Sequence, residues 1–219
     1  FSTDKNFGQV KLYVPRGNYK MVAIAAATDK PSKDNKVSIK SKTEVVFPNN
    51  EVTDMFYTYQ DIAVKDREER QNYDCILKRG VSVLLLDSRL EVRPDYIKSF
   101  KYTITGNCGN VFNPSTGHCL EKTSLTKTYD ISGDRFKGKR LMFNIYFFLG
   151  EDDVTDITLA TQSVDTENKV AKDLSFENVH MVKGKMTTYK GPFLSTHSAA
   201  SFIIDSPTIP NSGFDTEFE

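Results

Sequence analysis

Apolar positions along this chain fall in runs of about four to nine residues rich in Val, Ile, Tyr, Phe and Thr. Clusters of Gly, Pro, Asn and Asp separate them, a pattern that predicts an all-β protein. Residues 10–14 (V-K-L-Y-V) open the series. Turn chemistry follows at Pro15, Gly17 and Asn18, and 19–27 is expected as the next strand. Residues 36–47 alternate Val37, Ile39 and Val45 with polar partners, as one or two half-exposed strands would, and 55–59 is aromatic-rich. The tract 65–71 (K-D-R-E-E-R-Q) reads as a solvated loop or a single helical turn.

Residues 74–87 carry the strongest strand signal. Alternation over 75–83 gives way to the continuous run V-L-L-L, which predicts a strand covered on both faces. After V-R-P-D at 92–95, alternation of Ile97, Phe100, Tyr102 and Ile104 marks a sandwich strand over 96–105. Segments 106–122 and 133–139 read as loops, the first with a brief β excursion. Residues 141–149 and 154–160 flank the acidic turn G-E-D-D and are expected to form a hairpin, the start of a meander. Runs at 169–176, 179–181, 185–194 and 201–205 complete the set. No helix beyond about two turns fits, which excludes a parallel βαβ plan. The break at 88–95 divides the strands into two expected domains, 1–89 and 90–219.

Charge narrows the function. Lys and Arg total 29 and Asp and Glu total 29, so no net field draws the chain to nucleic acid or anionic lipid. The apolar runs fall far short of the roughly 20 residues that span a bilayer as a helix. The chain opens on Phe1 without a signal sequence, so membrane attachment is expected only through a lipid anchor lying outside it. Of the three cysteines, Cys108 and Cys119 bracket a turn-rich segment and are candidates for a disulfide, which leaves Cys75 alone.

Chemistry is sparse. His118, His180 and His197 stand in no nucleophile motif, and the adjacent Ser and His at 195–198 cannot converge from separate elements as a triad must. The Cys108, His118 and Cys119 spacing matches no zinc pattern. The acidic turn with Asp156 lacks the EF-hand order of oxygen ligands. Neither catalysis nor a cofactor is expected. Alternation places Tyr57 and Tyr59 on one face; core packing explains them, and an exposed face would offer aromatic contacts to a surface glycan.

Three segments resemble the fimbrillin-like and fimbrial anchor or accessory subunits of Bacteroidales. They are V-K-L-Y-V-P-R-G-N-Y-K-M-V-A-I-A-A-A-T at 10–28; C-I-L-K-R-G-V-S-V-L-L-L at 75–86, continued by V-R-P-D-Y-I-K-S-F-K-Y; and F-E-N-V-H-M-V-K-G-K-M-T-T-Y-K-G-P-F-L at 176–194. Gly184 departs from the family pattern, where Asn is common. The resemblance implies two tandem transthyretin-like, Greek-key β-sandwich domains. It further implies export to the cell surface or outer membrane and a role as a pilus subunit or adhesin, with other fimbrial subunits or host and bacterial surface ligands as partners. Assembly by strand addition follows from it, and Ile209, Phe214 and Phe218 are the candidate assembly strand, with a terminal strand of the chain's own sandwich as the other reading. A surface glycan-binding sandwich using Tyr57 and Tyr59 is the alternative function.

Overall fold

The computed structural model describes residues 8–27, 37–65, 70–88, 91–195 and 201–208. The described residues form sixteen strands. The first six are β1 (Gly17–Ala26), β2 (Ser38–Ser41), β3 (Glu44–Val46), β4 (Met55–Val64), β5 (Lys78–Arg79) and β6 (Ser82–Asp87). β7 (Ile97–Gly106), β8 (Cys108–Gly109), β9 (Phe112–Asn113), β10 (His118–Cys119) and β11 (Leu125–Asp130) follow. The last five are β12 (Met142–Leu149), β13 (Val154–Asp165), β14 (Val170–Val182), β15 (Met186–Lys190) and β16 (Ile203–Thr208). Helical structure among these residues is limited to single turns at Pro48–Asn50 and Asp134–Phe136. The protein is all-β, as its runs and breakers foretell.

Four sheets result, with strand orders β1-β4-β5, β10-β9-β3-β2, β11-β7-β13-β14 and β16-β15-β6-β12-β8. The last two face each other as a sandwich around the larger core. Leu84 and Leu86 of β6, Phe100 and Ile104 of β7, Phe143 and Phe147 of β12 and Leu159 of β13 are buried there. Stacked Phe100 and Phe143, with ring centroids 4.4 Å apart, join the two sheets across it.

A smaller core lies on the other side of β12. Val45, Phe47, Met55, Tyr57 and Val81 meet Phe112 and Phe148 there. Odd-numbered β12 residues Phe143, Ile145, Phe147 and Leu149 point into the larger core, while Phe148, with Tyr146 beside it, points into the smaller one. β12 is therefore a shared wall, and its run L-M-F-N-I-Y-F-F-L is apolar on both faces for that reason.

Several expectations meet a different arrangement. β12 and β13 form no hairpin: β12 pairs with β6 and β8, and β13 with β7 and β14. The acidic turn at 150–153 instead arches between the two sheets, because β12 needs apolar cover on both faces and β13 on one. The hairpin belongs to β13 and β14, whose turn is closed by Asp165 Oδ1 accepting the amides of Glu167 and Lys169. β15 lies parallel to β6, reached without any crossover helix. β6 itself, expected to end the first domain, sits between β15 and β12 in the larger sandwich, while Phe112 and Phe148 complete the small core. The two cores thus interleave along the sequence and do not fall on either side of residue 90. Residues 10–14 have strand-like alternation but pair with nothing in a sheet.

Candidate assembly edges and the joint beside them

A sheet edge carries a row of free N–H and C=O groups, and proteins blunt such edges with charge, proline or bulges. β14 is blunted by Asp173, Glu177 and two register shifts. β16 carries Pro207, which removes a donor. β1 is different. It is bonded on one side only, to β4, over all ten of its residues from Gly17 to Ala26. Its centre is Met21-Val22-Ala23-Ile24, half-buried and without charge. Just upstream, Val10, Leu12 and Tyr13 are 80%, 71% and 85% exposed. The open edge and the bare alternating segment are thus contiguous in the chain.

The other candidate residues sort clearly. Ile209, Phe214 and Phe218 lie outside the described residues. Pro207 and Thr208, just before them, belong to β16, which pairs with β15 of the chain's own sandwich. Tyr57 is 1% exposed, edge-on against Phe112 at 4.6 Å, so it serves the small core and offers no face to a glycan. Tyr59 is half-buried with the Lys20 ammonium 5.6 Å from its ring centre. Tyr57 and Tyr59 stand two apart on the uninterrupted β4 ladder, and Phe112, distant in sequence, covers the first of them.

Cys75, Cys108 and Cys119 are free thiols. The register explains why Cys108 and Cys119 stay apart: Cys108 is opposite Leu149 and belongs to the larger core, whereas Gly109 is opposite Phe148. A Cβ on Gly109 would meet the Glu121 carbonyl and the Cys119 side chain. Cys119 therefore lies on the small-core side of β8, across the strand from the Cys108 sulfur. Burial, with Cys119 nearby, pushes the Cys108 thiol up to about 12. Cys75 is exposed, its sulfur 3.8 Å from Met21 Sδ.

Loop residues gather where the small core meets the sandwich. His118 of β10, Asp153 of the acidic turn and Lys183 after β14 converge, with Lys183 Nζ 3.0 Å from Asp153 Oδ1. Beside them a cleft of about 630 Å³ opens between the 113–122 arm and the acidic turn, lined by Asn113, Thr116, Lys122 and Glu151 among others. The three residues of the cluster stand 35 and 30 positions apart, so no local signal in the sequence marks them. Among the described residues, no group of three or more His, Cys, Asp or Glu side chains is placed to hold a metal ion, and no helix is long and apolar enough to cross a membrane.

A second polar cluster locks the segment after β6. Glu91 accepts from the amide of Leu194 at 2.5 Å and the hydroxyl of Ser195 at 3.1 Å, and burial raises its pKa. Arg93, also buried, donates to the Ile97 and Phe136 carbonyls at 2.7 and 3.3 Å. These residues hold the chain where it passes from β6 to β7, a structural task.

Among the described residues, β1 offers a long, centrally uncharged stretch of open sheet edge. The family model described as Fimbrillin-A associated anchor proteins Mfa1 and Mfa2 matches residues 2–173, and the chain belongs to that family. No match is found among curated proteins. Among solved structures, a proposed adhesin from Bacteroides ovatus is 12% identical with a TM-score of 0.49, the match covering 75% of this chain and 66% of that one. A proposed adhesin from Bacteroides thetaiotaomicron is 11% identical at a TM-score of 0.43, covering 92% and 79%. A proposed cell adhesion protein from Bacteroides ovatus is 12% identical at 0.43, covering 94% and 72%. The family match, and not these distant likenesses, carries the functional reading.

Proposed function

We propose that the chain is a non-enzymatic structural or adhesive subunit of cell-surface fimbriae that joins its neighbours by strand addition. What supports the reading most is the family match over residues 2–173, in a family described as fimbrial anchor proteins. The open edge of β1 supplies the chemistry: its free backbone groups give affinity, and alternate side chains of an added strand give register. Partners on this reading are other fimbrial subunits or host and bacterial surface ligands, and the location is the outer surface of the cell. Two transthyretin-like units, one around each core and sharing β12, are part of the same proposal. Ile209, Phe214 and Phe218 remain the proposed donor strand, continuing from β16.

The test is truncation. A chain ending at Thr208 is expected to stay folded, since β16 is retained, and to be absent from fimbriae isolated from cells that express it, while the full chain is present. Equal incorporation of both chains would remove the donor role. Absence of the full chain from fimbriae and from the cell surface would overturn the function itself.

A further inference from the structure

His118 sits where β10, the acidic turn and the turn after β14 bring ionisable groups together. It is 16% exposed, and its Nε2 lies 3.5 Å from Lys183 Nζ and 3.5 Å from Asp153 Oδ1. Its Nδ1 is buried with no hydrogen-bond partner. Lys78 of β5 faces the cluster from the first sheet, with its ammonium 5.1 Å from the centre of the Tyr57 ring, and Asp152 faces it from the acidic turn. Gly117, at φ +77°, lets the arm pass so close that a Cβ there would strike the Tyr57 hydroxyl and the Lys183 ammonium.

The proton inventory of the imidazole decides what this seam tolerates. A neutral ring needs one donor and one acceptor partner; the cluster supplies one contact region, at Nε2, and leaves Nδ1 bare. Protonation makes both nitrogens donors. Nε2–H must then compete with Lys183 for Asp153, and Nδ1–H is buried without an acceptor. Lys183 and Lys78 oppose the added charge and Asp153 and Asp152 favour it; Asp153 is already paired with Lys183, and of Glu121 and Glu151, which line the cleft beside the ring, Glu151 is paired with Lys122.

We propose that His118 is an acid-triggered release at the seam, its protonation loosening the 108–122 arm and the small core built on it from the larger sandwich. The pKa of His118 is lowered by burial first and by Lys183 next, with Asp153 and Asp152 opposing. The sign follows. The opened form takes up a proton near the ordinary histidine value of about 6.5, above the closed form, so closure is fully favoured above that value and weakens as pH falls through it. Opening exposes Tyr57, Phe112 and Phe148, an apolar surface that neutral pH keeps covered.

Hydrogen exchange of the intact chain, corrected for intrinsic rates, tests this between about pH 7 and about pH 5.5. Amides of residues 108–122 and 55–57 should lose protection several-fold on acidification, while those of β7 and β13 hold. His118→Gln should abolish the pH dependence. His180→Gln should retain it, because His180 is exposed and its contact is with Asp156 across the β13–β14 ladder, 3.1 Å away, outside the His118 cluster. If His118→Gln does not fold, titration of the His118 ring proton by NMR in the unaltered chain decides. A midpoint at or above 6.5, or an acid-induced loss that persists in His118→Gln, would overturn the proposal.

Discussion

Replacing Phe112 with Ala should dissolve the small core from a position that only a shared-core arrangement makes central. Phe112 sits on a strand of two residues, fully buried, 4.6 Å edge-on from Tyr57 and 4.7 Å from Phe148, and opposite Val45 in the ladder. Its removal opens a hole walled by β4, β3 and β12. β12 is fixed by the larger core and cannot move in to fill it. Large-to-small changes of this kind cost about 3–5 kcal/mol, and a domain's whole stability is about 5–15 kcal/mol. For a chain of this size, about 2–4 °C per kcal/mol puts the fall of the first thermal transition at roughly 6–20 °C. Chemical denaturation gives the free energy, and hydrogen exchange locates it: amides of Val45 and Tyr57 should lose protection together with those of 108–122. A cost under about 1 kcal/mol, or a loss confined to 108–122, would refute the shared core.

Three further outcomes follow from single contacts. Gly109→Ala should destabilise the chain by about 1–3 kcal/mol, since the added methyl meets the Glu121 carbonyl and Cys119, and urea titration reads it. Arg93→Ala should cost about 2–4 kcal/mol in the same assay, because two buried carbonyls lose a charged donor; a change within about 0.5 kcal/mol would show that water replaces it. Thiol labelling followed by peptide mapping should modify Cys75 first and Cys108 last, with no Cys108–Cys119 disulfide peptide before unfolding.

How much of this was legible in the sequence depended on whether the cause was local. Residues 82–87 announce double burial through V-L-L-L because both faces of a strand are written in consecutive residues. Nothing in those residues says which sheet they join, and β6 pairs with strands that begin more than fifty residues later. The run at 141–149 and the acidic turn look like one arm of a hairpin. The signal that β12 faces two cores is its unbroken apolarity, Phe147 on one side and Phe148 on the other. Leu125–Asp130 escapes notice because an edge strand alternates weakly, Leu125 and Tyr129 half-buried among threonines. Residues 10–14 mislead in the opposite direction: V-K-L-Y-V has the period of a strand, but period says nothing about whether a partner is present. The seam at His118 is assembled by β10, the acidic turn and the turn after β14, and was illegible for the same reason.

Strand addition at β1 is tested most directly by hydrogen exchange on this chain inside isolated fimbriae compared with the free chain. Strand addition predicts new protection at residues 10–14 and at the β1 amides that point away from β4, with β6 and β13 unchanged because their ladders are already filled on both sides. Identical exchange along β1 in the two states would contradict it.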